Sequence, residues 1–322
     1  MSKSIDQAKA EHEKKGYREY LGPKLMGPRR VIRRGTPLYP ASLEDIARPP
    51  ESIFAIGDPA ALSQGLAIIG ARKATPYGIS CARRFASIAA KHGIPIISGG
   101  ALGCDGAAHM SAIEEGGVTV VVLGGGCDSL YPARHYGLFQ EVVDTGGIVI
   151  SEREWDFPAL SYCFRERNRI IAGLARATLI VEAGLPSGTF STADDALEAG
   201  RDVLVVPGAI TSRTSAGSNR LLYQGATPVI DEETFQDVLF NLFGCLKMQG
   251  SDTPDDYRVG MDDDPLLAAL QAQPLRMDEM QRLITVPAGE DARTWFMVHL
   301  AQLEKSNLVR RYPDGRYGPA RV

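Results

Sequence analysis

What the 322-residue sequence lacks narrows its function first. It has no CxxC pair, and its five cysteines, Cys81, Cys104, Cys127, Cys163 and Cys245, are odd in number and widely scattered. That spacing argues against a disulfide framework and a zinc site, and it fits a reducing cytoplasm. There is no HExxH and no Cys/His cluster at metal-ligand spacing. No apolar run approaches the ~18 residues needed to span a bilayer. The start, MSKSIDQAKAEHEKKG, is polar and lacks the apolar stretch of a signal peptide. A cytoplasmic chain with no membrane association is therefore expected. Excess positive charge is missing as well. The formal net charge of -4 excludes a uniformly basic nucleic-acid coat and leaves a local basic cleft possible.

The length suits two domains, and 44% hydrophobic with 23% charged residues is ordinary for a globular protein. Residues 1–35 read as a polar and basic N-terminal extension. In it GPKLMGPRRVIRRG carries Lys24, Arg29, Arg30, Arg33 and Arg34 without an acid, either as a solvated connector or as a contact for an acidic partner. A short helical patch, broken at Pro49-Pro50, leads into the core. From Gly65 a strand, a Gly-rich turn and a helix alternate repeatedly. Strands are predicted at 66–70, 94–100, 118–126, 147–152, 177–184, 202–208 and 227–230. Helices are predicted over Gly78–His92, Asp105–Glu115, Arg167–Ala175, Phe190–Ala199 and Ser218–Gln224. Short apolar strands alternating with helices predict an α/β core, a Rossmann-type parallel sheet with helices on both faces, over residues 36–245. Residues 246–264 are acidic and poor in core-forming types, a linker. Residues 265–322 predict three helices and a hairpin around Pro313-Asp314-Gly315, a small winged-helix-like domain.

Ligands of such sheets bind beyond the carboxyl ends of the strands, where the candidate residues cluster. GARKATPYG places Arg72 and Lys73 in a turn before a helix, where free N–H groups and the helix dipole favour phosphate. SGGALGCDGAAH offers Ser98, Gly99 and Gly100 for close backbone approach, with Asp105 as the expected helix cap and His109 as a packed core residue. In LGGGCDSLYP, Asp128 and Tyr131 read as turn residues. CFRERNRIIAGLARA crowds Arg165, Arg167 and Arg169 at the expected start of a helix. Cations there oppose the dipole by a few tenths to ~1 kcal/mol each. They are explained either by ion pairing with Glu152, Glu154, Asp156 or Glu166, or by a bound phosphate, with Phe164 stacking on a base. Ser187, Gly188 and Thr189 precede another helix and suit phosphate, as do Gly217, Ser218, Asn219 and Arg220. No nucleophile–base–acid set emerges, so a polyanion binder without enzymatic activity and without a cofactor is expected.

In this order, GARKATPYG, SGGALGCDGAAH, LGGGCDSLYP, FRERNRIIAGLA, SGTFSTADDALEAGRDVLVVPG and SAGSNRLLYQGA resemble the DprA/Smf family of bacterial DNA-processing proteins. The resemblance covers about residues 36–231, and the tail is similar to that family's C-terminal winged-helix-like domain. It implies a Rossmann-type domain that binds single-stranded DNA without strong sequence preference, protects incoming strands, forms homodimers and helps load the RecA recombinase. Carried over by motif, Arg72 grips a phosphate, with Phe164, Arg167, Asn168 and Arg169 along the same groove. Gly99, Gly100 and the Ser187-Gly188 turn give backbone contacts. Leu102 stands where many members have a cation. Arg165-Glu166 replaces a common Pro-Arg, which assigns Arg165 to the general surface. Two alternatives remain. One is a LOG-like nucleoside-monophosphate phosphoribohydrolase, whose PGGxGTxxE glutamate is Thr192 here. The other is a nucleotide-sensing winged-helix regulator. The tail has eight Lys/Arg against six Asp/Glu, too small a surplus to predict duplex binding.

Overall fold

The computed structural model describes residues 20–245, 264–272, 274–283, 291–306, 308–312 and 314–320. The expected N-terminal arm up to residue 19, most of the acidic linker, Ile284 and Pro313 lie outside the described residues. The chain divides into two units, Met1–Lys247 and Met248–Val322.

In the first unit the described strands are β1 (Arg29–Arg33), β2 (Ser52–Gly57), β3 (Gly65–Ile69), β4 (Ile96–Ser98), β5 (Thr119–Val122), β6 (Ile148–Ser151), β7 (Ala175–Ile180), β8 (Asp202–Val205) and β9 (Thr227–Pro228). They form one sheet in the order β1-β2-β6-β5-β4-β3-β7-β8-β9. Strands β3 to β9 run parallel, while β1 pairs β2 and β2 pairs β6 antiparallel. The helices are α1 (Pro76–Lys91), α2 (Cys104–Glu114), α3 (Tyr136–Asp144), α4 (Ser161–Leu174), α5 (Thr189–Glu198), α6 (Ala216–Tyr223) and α7 (Glu232–Phe243).

The two-residue period of a strand explains why these segments are continuously apolar. Leu66 and Ile68 of β3 pack with Phe85 of α1, Ala108 of α2 and Phe235 of α7. Ala67 and Ile69 point to the opposite face, into the cluster that holds Ile170 and Ile171 of α4, Ala193 of α5 and Leu221 of α6. On the first face α3 continues the layer, with Phe139 and Val142 against Val121 and Val149. Each fully buried Leu, Ile or Phe contributes roughly 1.5–3 kcal/mol, so both helical layers are needed.

Each predicted strand has a counterpart, although TPVI shortens to Thr227–Pro228. Three expectations are corrected. The basic stretch read as a connector is a strand: Ile32 is 2% exposed and anchors β1 in the core, while its neighbours face solvent. The sheet therefore begins before residue 36. Second, β2, α3 and α7 join the predicted elements. Third, α4 starts at Ser161, six residues ahead of Arg167, so the arginines do not crowd a helix N-terminus.

The second unit has helices α8 (Pro265–Ala272), α9 (Met277–Leu283) and α10 (Ala292–Lys305), then the hairpin β10 (Val309–Arg311) and β11 (Tyr317–Pro319). Its core gathers Leu266, Leu267, Leu270, Met280, Phe296, Leu300 and Leu303. Phe296 is 2% exposed in this core, while Val298 on the same helix is 53% exposed.

Candidate functional site

Strand order in the parallel part of the sheet runs one way from β3 through β4, β5 and β6, and the other way from β7 through β8 and β9. The reversal between β3 and β7 is a topological switch point, where loops diverge and leave a crevice. A cavity of about 710 Å³ lies there, a size suited to a small ligand or part of a polymer. Its walls come from the β3–α1 turn (Gly70, Ala71, Arg72), α4 (Phe164, Arg165, Arg167, Asn168, Ile171) and the β7–α5 turn with the first residues of α5 (Pro186 to Thr192).

The three arginines of FRERNR part company. Arg167 is 5% exposed and donates from Nη1 to the carbonyls of Gly99 (2.9 Å) and Val122. Burial holds its pKa down to about 10. This guanidinium is a structural brace, buried in the floor of the cavity that it helps to line. Arg169 forms a 2.6 Å ion pair with Glu152 and also donates to the Glu166 carbonyl. The ordinary alternative, ion pairing, explains it. Arg165 is exposed, lines the cavity and has no ion-pair partner among the described residues. The residue assigned to the general surface is the one of the three that stands open at the crevice.

Arg72 and Lys73 are exposed and likewise without an ion pair among the described residues. The Arg72 guanidinium sits 5.1 Å from the Phe164 ring centroid. Its charge gains from the ring face while its edge remains free for an acceptor. Phe164, half-buried, closes over Gly124 at the end of β5, where a Cβ would come within 2.8 Å of the ring. The ring also meets Tyr131, with centroids 5.1 Å apart and planes tilted by 52°.

The Ser98-Gly99-Gly100 turn is built from inside. Ser98 is fully buried and donates to the Ile68 carbonyl at 2.6 Å, so its side chain is a tether. Asp105 does not cap α2, whose first residue follows Gly103 at φ +81°. Instead its carboxylate accepts from the N–H of Gly99 (3.1 Å) and of Ala101 (3.4 Å). Gly99 is thus held by a carboxylate at its N–H and a guanidinium at its carbonyl. Burial pushes the Asp105 carboxyl above its ordinary range, against the pull of Arg167. Gly100, at φ +65°, packs against Phe139, and its carbonyl pairs with His135 Nδ1 at 3.0 Å.

The start of α1 differs from expectation. Thr75 Oγ1 accepts from the Gly78 N–H, and buried Glu182 accepts from the Thr75 N–H and hydroxyl, both at 2.8 Å. The chain's own carboxylate occupies the positive helix end that the sequence assigns to phosphate, and the exposed cations of that turn are Arg72 and Lys73. At α5, Ser187 Oγ accepts from the Thr189 N–H at 3.3 Å, and Asn168 donates to Ser191 Oγ at 3.0 Å. Gly188 is exposed with open space around it. The start of α6 is stapled shut: the N–H groups of Gly217 and Ser218 both donate to the Ala183 carbonyl, and Asn219 bonds Gly208 in both directions. His109 is fully buried as expected, with Nδ1 2.6 Å from Thr119 Oγ1 and its pKa pushed down to about 3 by burial.

Of the residues the sequence assigns to the ligand, Arg72, Phe164, Arg167, Asn168, Ser187 and Gly188 line one crevice, and Lys73 follows Arg72 in the same turn; the side chains of Ser98, Arg167 and Arg169 are engaged internally. Sequence reasoning misses Tyr131 and Glu182. Glu182 follows directly on an apolar strand, a placement that calls for a buried partner.

Residues 30–240 match the family described as DNA recombination-mediator protein A. Protein Smf of Escherichia coli (strain K12) is 34% identical over 289 residues, covering 88% of this chain and 76% of that protein. The chain belongs to this DprA/Smf family. Among solved structures, DNA processing protein A from Streptococcus pneumoniae aligns with a TM-score of 0.61 at 34% identity, over 66% of this chain and 74% of that one. The DprA of Helicobacter pylori, studied for its unique single-stranded DNA binding mode, aligns with a TM-score of 0.61 at 28% identity, over 68% of this chain and all of that one. The Rossmann-type DprA core is thus shared, with its switch-point crevice in the first unit. None of the described helices is long and apolar enough to cross a membrane.

Proposed function

We propose that this DprA/Smf chain binds single-stranded DNA without strong sequence preference along the crevice between β3 and β7. The observation that carries the reading is a set of exposed cations unpaired among the described residues in a chain of net charge -4: Arg72 and Arg165 line one cavity with Phe164, and Lys73 follows Arg72 in the same turn. Backbone phosphates lie against the three cations, and a base stacks on Phe164. Arg167 and Asp105 act from beneath, fixing the Gly99 backbone on which the crevice rests. The chain works as a binder and not as an enzyme: its buried carboxylates, Asp105 and Glu182, are engaged with backbone and threonine donors, and His109 is sealed and neutral. Membership of a recombination-mediator family supports protection of incoming strands in the cytoplasm and their transfer to RecA by a homodimer.

Titration with fluorescent oligo-dT and with matched duplex across a salt series tests the reading. Tight, salt-sensitive binding of the single strand is expected, with weaker binding of duplex. Equal affinity for the two would contradict it. A parallel assay is expected to show no AMP hydrolysis.

A further inference from the structure

Resting on the single-strand reading above, we infer that Tyr131 is a second base-stacking platform and that the bound strand leaves the cavity toward the end of β5, away from β8. Tyr131 is 48% exposed, yet its backbone is fixed on both sides, by Leu130 at 3% exposure and by buried Pro132. A large aromatic held rigidly in solvent is a surface ready to receive a planar group with little ordering cost.

Its position gives the direction. The Arg72 guanidinium, the Phe164 ring and the Tyr131 ring form one continuous series, each 5.1 Å from the next. Arg72 leaves the end of β3, and Phe164 covers Gly124 beyond β5. These two strands are separated by β4 alone, a span of roughly 10 Å at about 4.8 Å per strand. The series therefore tracks along the carboxyl edge of the sheet, offering a cation first and two stacking faces after it. Stacking tolerates any base, which suits a binder of arbitrary sequence. On the opposite side the backbone at the next helix start is closed, and the cation–aromatic pair of that helix, Arg220 over Tyr223 at 5.4 Å, does not line the cavity. The first N–H groups of α6 are taken by the Ala183 carbonyl, and Asn219 is locked to Gly208. Arg213 in the loop before that helix is exposed and without an ion pair among the described residues, and it serves as the control for the other direction.

The test compares full-length variants in oligo-dT titrations. Tyr131→Ala is expected to weaken binding about tenfold, the range of one lost base–aromatic stack, whereas Tyr131→Phe and Arg213→Ala stay within twofold of the parent. Unchanged binding by Tyr131→Ala together with a loss in Arg213→Ala would reverse the direction and overturn the inference. Tyr131→Trp gives an independent reading that keeps the aromatic in place. Oligo-dT is expected to quench its added emission beyond the change seen in the parent, whose own tryptophans are Trp155 and Trp295. Absence of extra quenching means Tyr131 only props Phe164, and the inference falls. If the parent shows no preference for single strands, the underlying reading fails. If Arg72→Ala weakens binding and Tyr131→Ala does not, only the path toward β5 fails.

Discussion

Two basic stretches, Lys24 to Arg34 and Arg165 to Arg169, look alike in the sequence and differ in what the fold does with them. In the first, Lys24 and Arg29 converge on Asp128 at 3.0 and 2.8 Å, and Arg34 pairs with Glu44 at 2.6 Å. Arg30 and Arg33 are left exposed on an edge strand. In the second, Arg167 braces Gly99 and Val122, Arg169 pairs with Glu152, and Arg165 stays open. Both stretches thus commit most of their cations internally and keep a remainder. The remainder differs in setting. Arg165 lines a cavity beside Phe164 and Arg72, while Arg30 and Arg33 belong to an edge whose charge guards against strand-to-strand association. Charge alone does not make a site; a free charge beside a concave surface and a stacking face does.

The largest effect is expected from Arg167, on the fold. Arg167→Ala leaves two buried carbonyls without their donor and Asp105 without its countercharge. Urea denaturation is expected to show a loss of about 3–5 kcal/mol, as for other broken buried ion partners. A loss of binding with no loss of stability would return Arg167 to the DNA surface. Arg72→Ala should do the reverse. Its fold is unaffected, and oligo-dT affinity falls roughly tenfold or more, since one charge-assisted hydrogen bond is worth about 1.5–3 kcal/mol. Arg30→Ala and Arg33→Ala are expected to change oligo-dT affinity less than twofold, and a loss comparable with Arg72→Ala would erase the distinction between the two stretches.

The smallest effect concerns Asp195 of α5, near Arg169, whose pKa burial and the neighbouring Glu198 charge raise to about 6. A carboxyl that is harder to ionise in the folded chain binds more protons there than in the unfolded chain between pH ~4 and 6. Its stabilising contribution is complete below the unfolded pKa and disappears as pH rises through 6. Asp195→Asn should therefore flatten the stability profile between pH 4 and 6 and leave the variant slightly more stable than the parent at pH 8. Thermal melts across that range check the sign.

Most of the sheet was legible because the strands of a doubly covered sheet are uninterrupted apolar runs, as Leu66 to Ile69 and Thr119 to Val122 illustrate. The strand β1 was not, because one buried residue, Ile32, among four exposed neighbours carries no periodic signal. The start of α4 was hidden for a related reason. Leu160 occupies the N-cap without a side-chain bond, so no Ser, Thr, Asp or Asn announces the helix. That displaced start turned the three arginines into an apparent clash with a dipole. Within the site, sequence order located the turns but could not tell a donor facing solvent from one facing a carbonyl. Arg165 and Arg167 differ by two positions, about 200° around a helix at 3.6 residues per turn, which is the difference between the crevice and the core. Tyr131 was invisible for lack of any local signal: its meaning lies in the proximity of Phe164, 33 residues further along the chain.

The central claim is that Arg72, Lys73 and Arg165 are the cations that neutralise the bound strand. The salt dependence of oligo-dT binding measures this most directly, because each phosphate neutralised on a single strand contributes about 0.7 to the slope of log K against log[salt]. Replacing the three residues together by alanine is expected to reduce the slope by about 2 while thermal stability stays at the parent value. A slope equal to that of the parent, with the fold intact, would place the strand elsewhere on the protein.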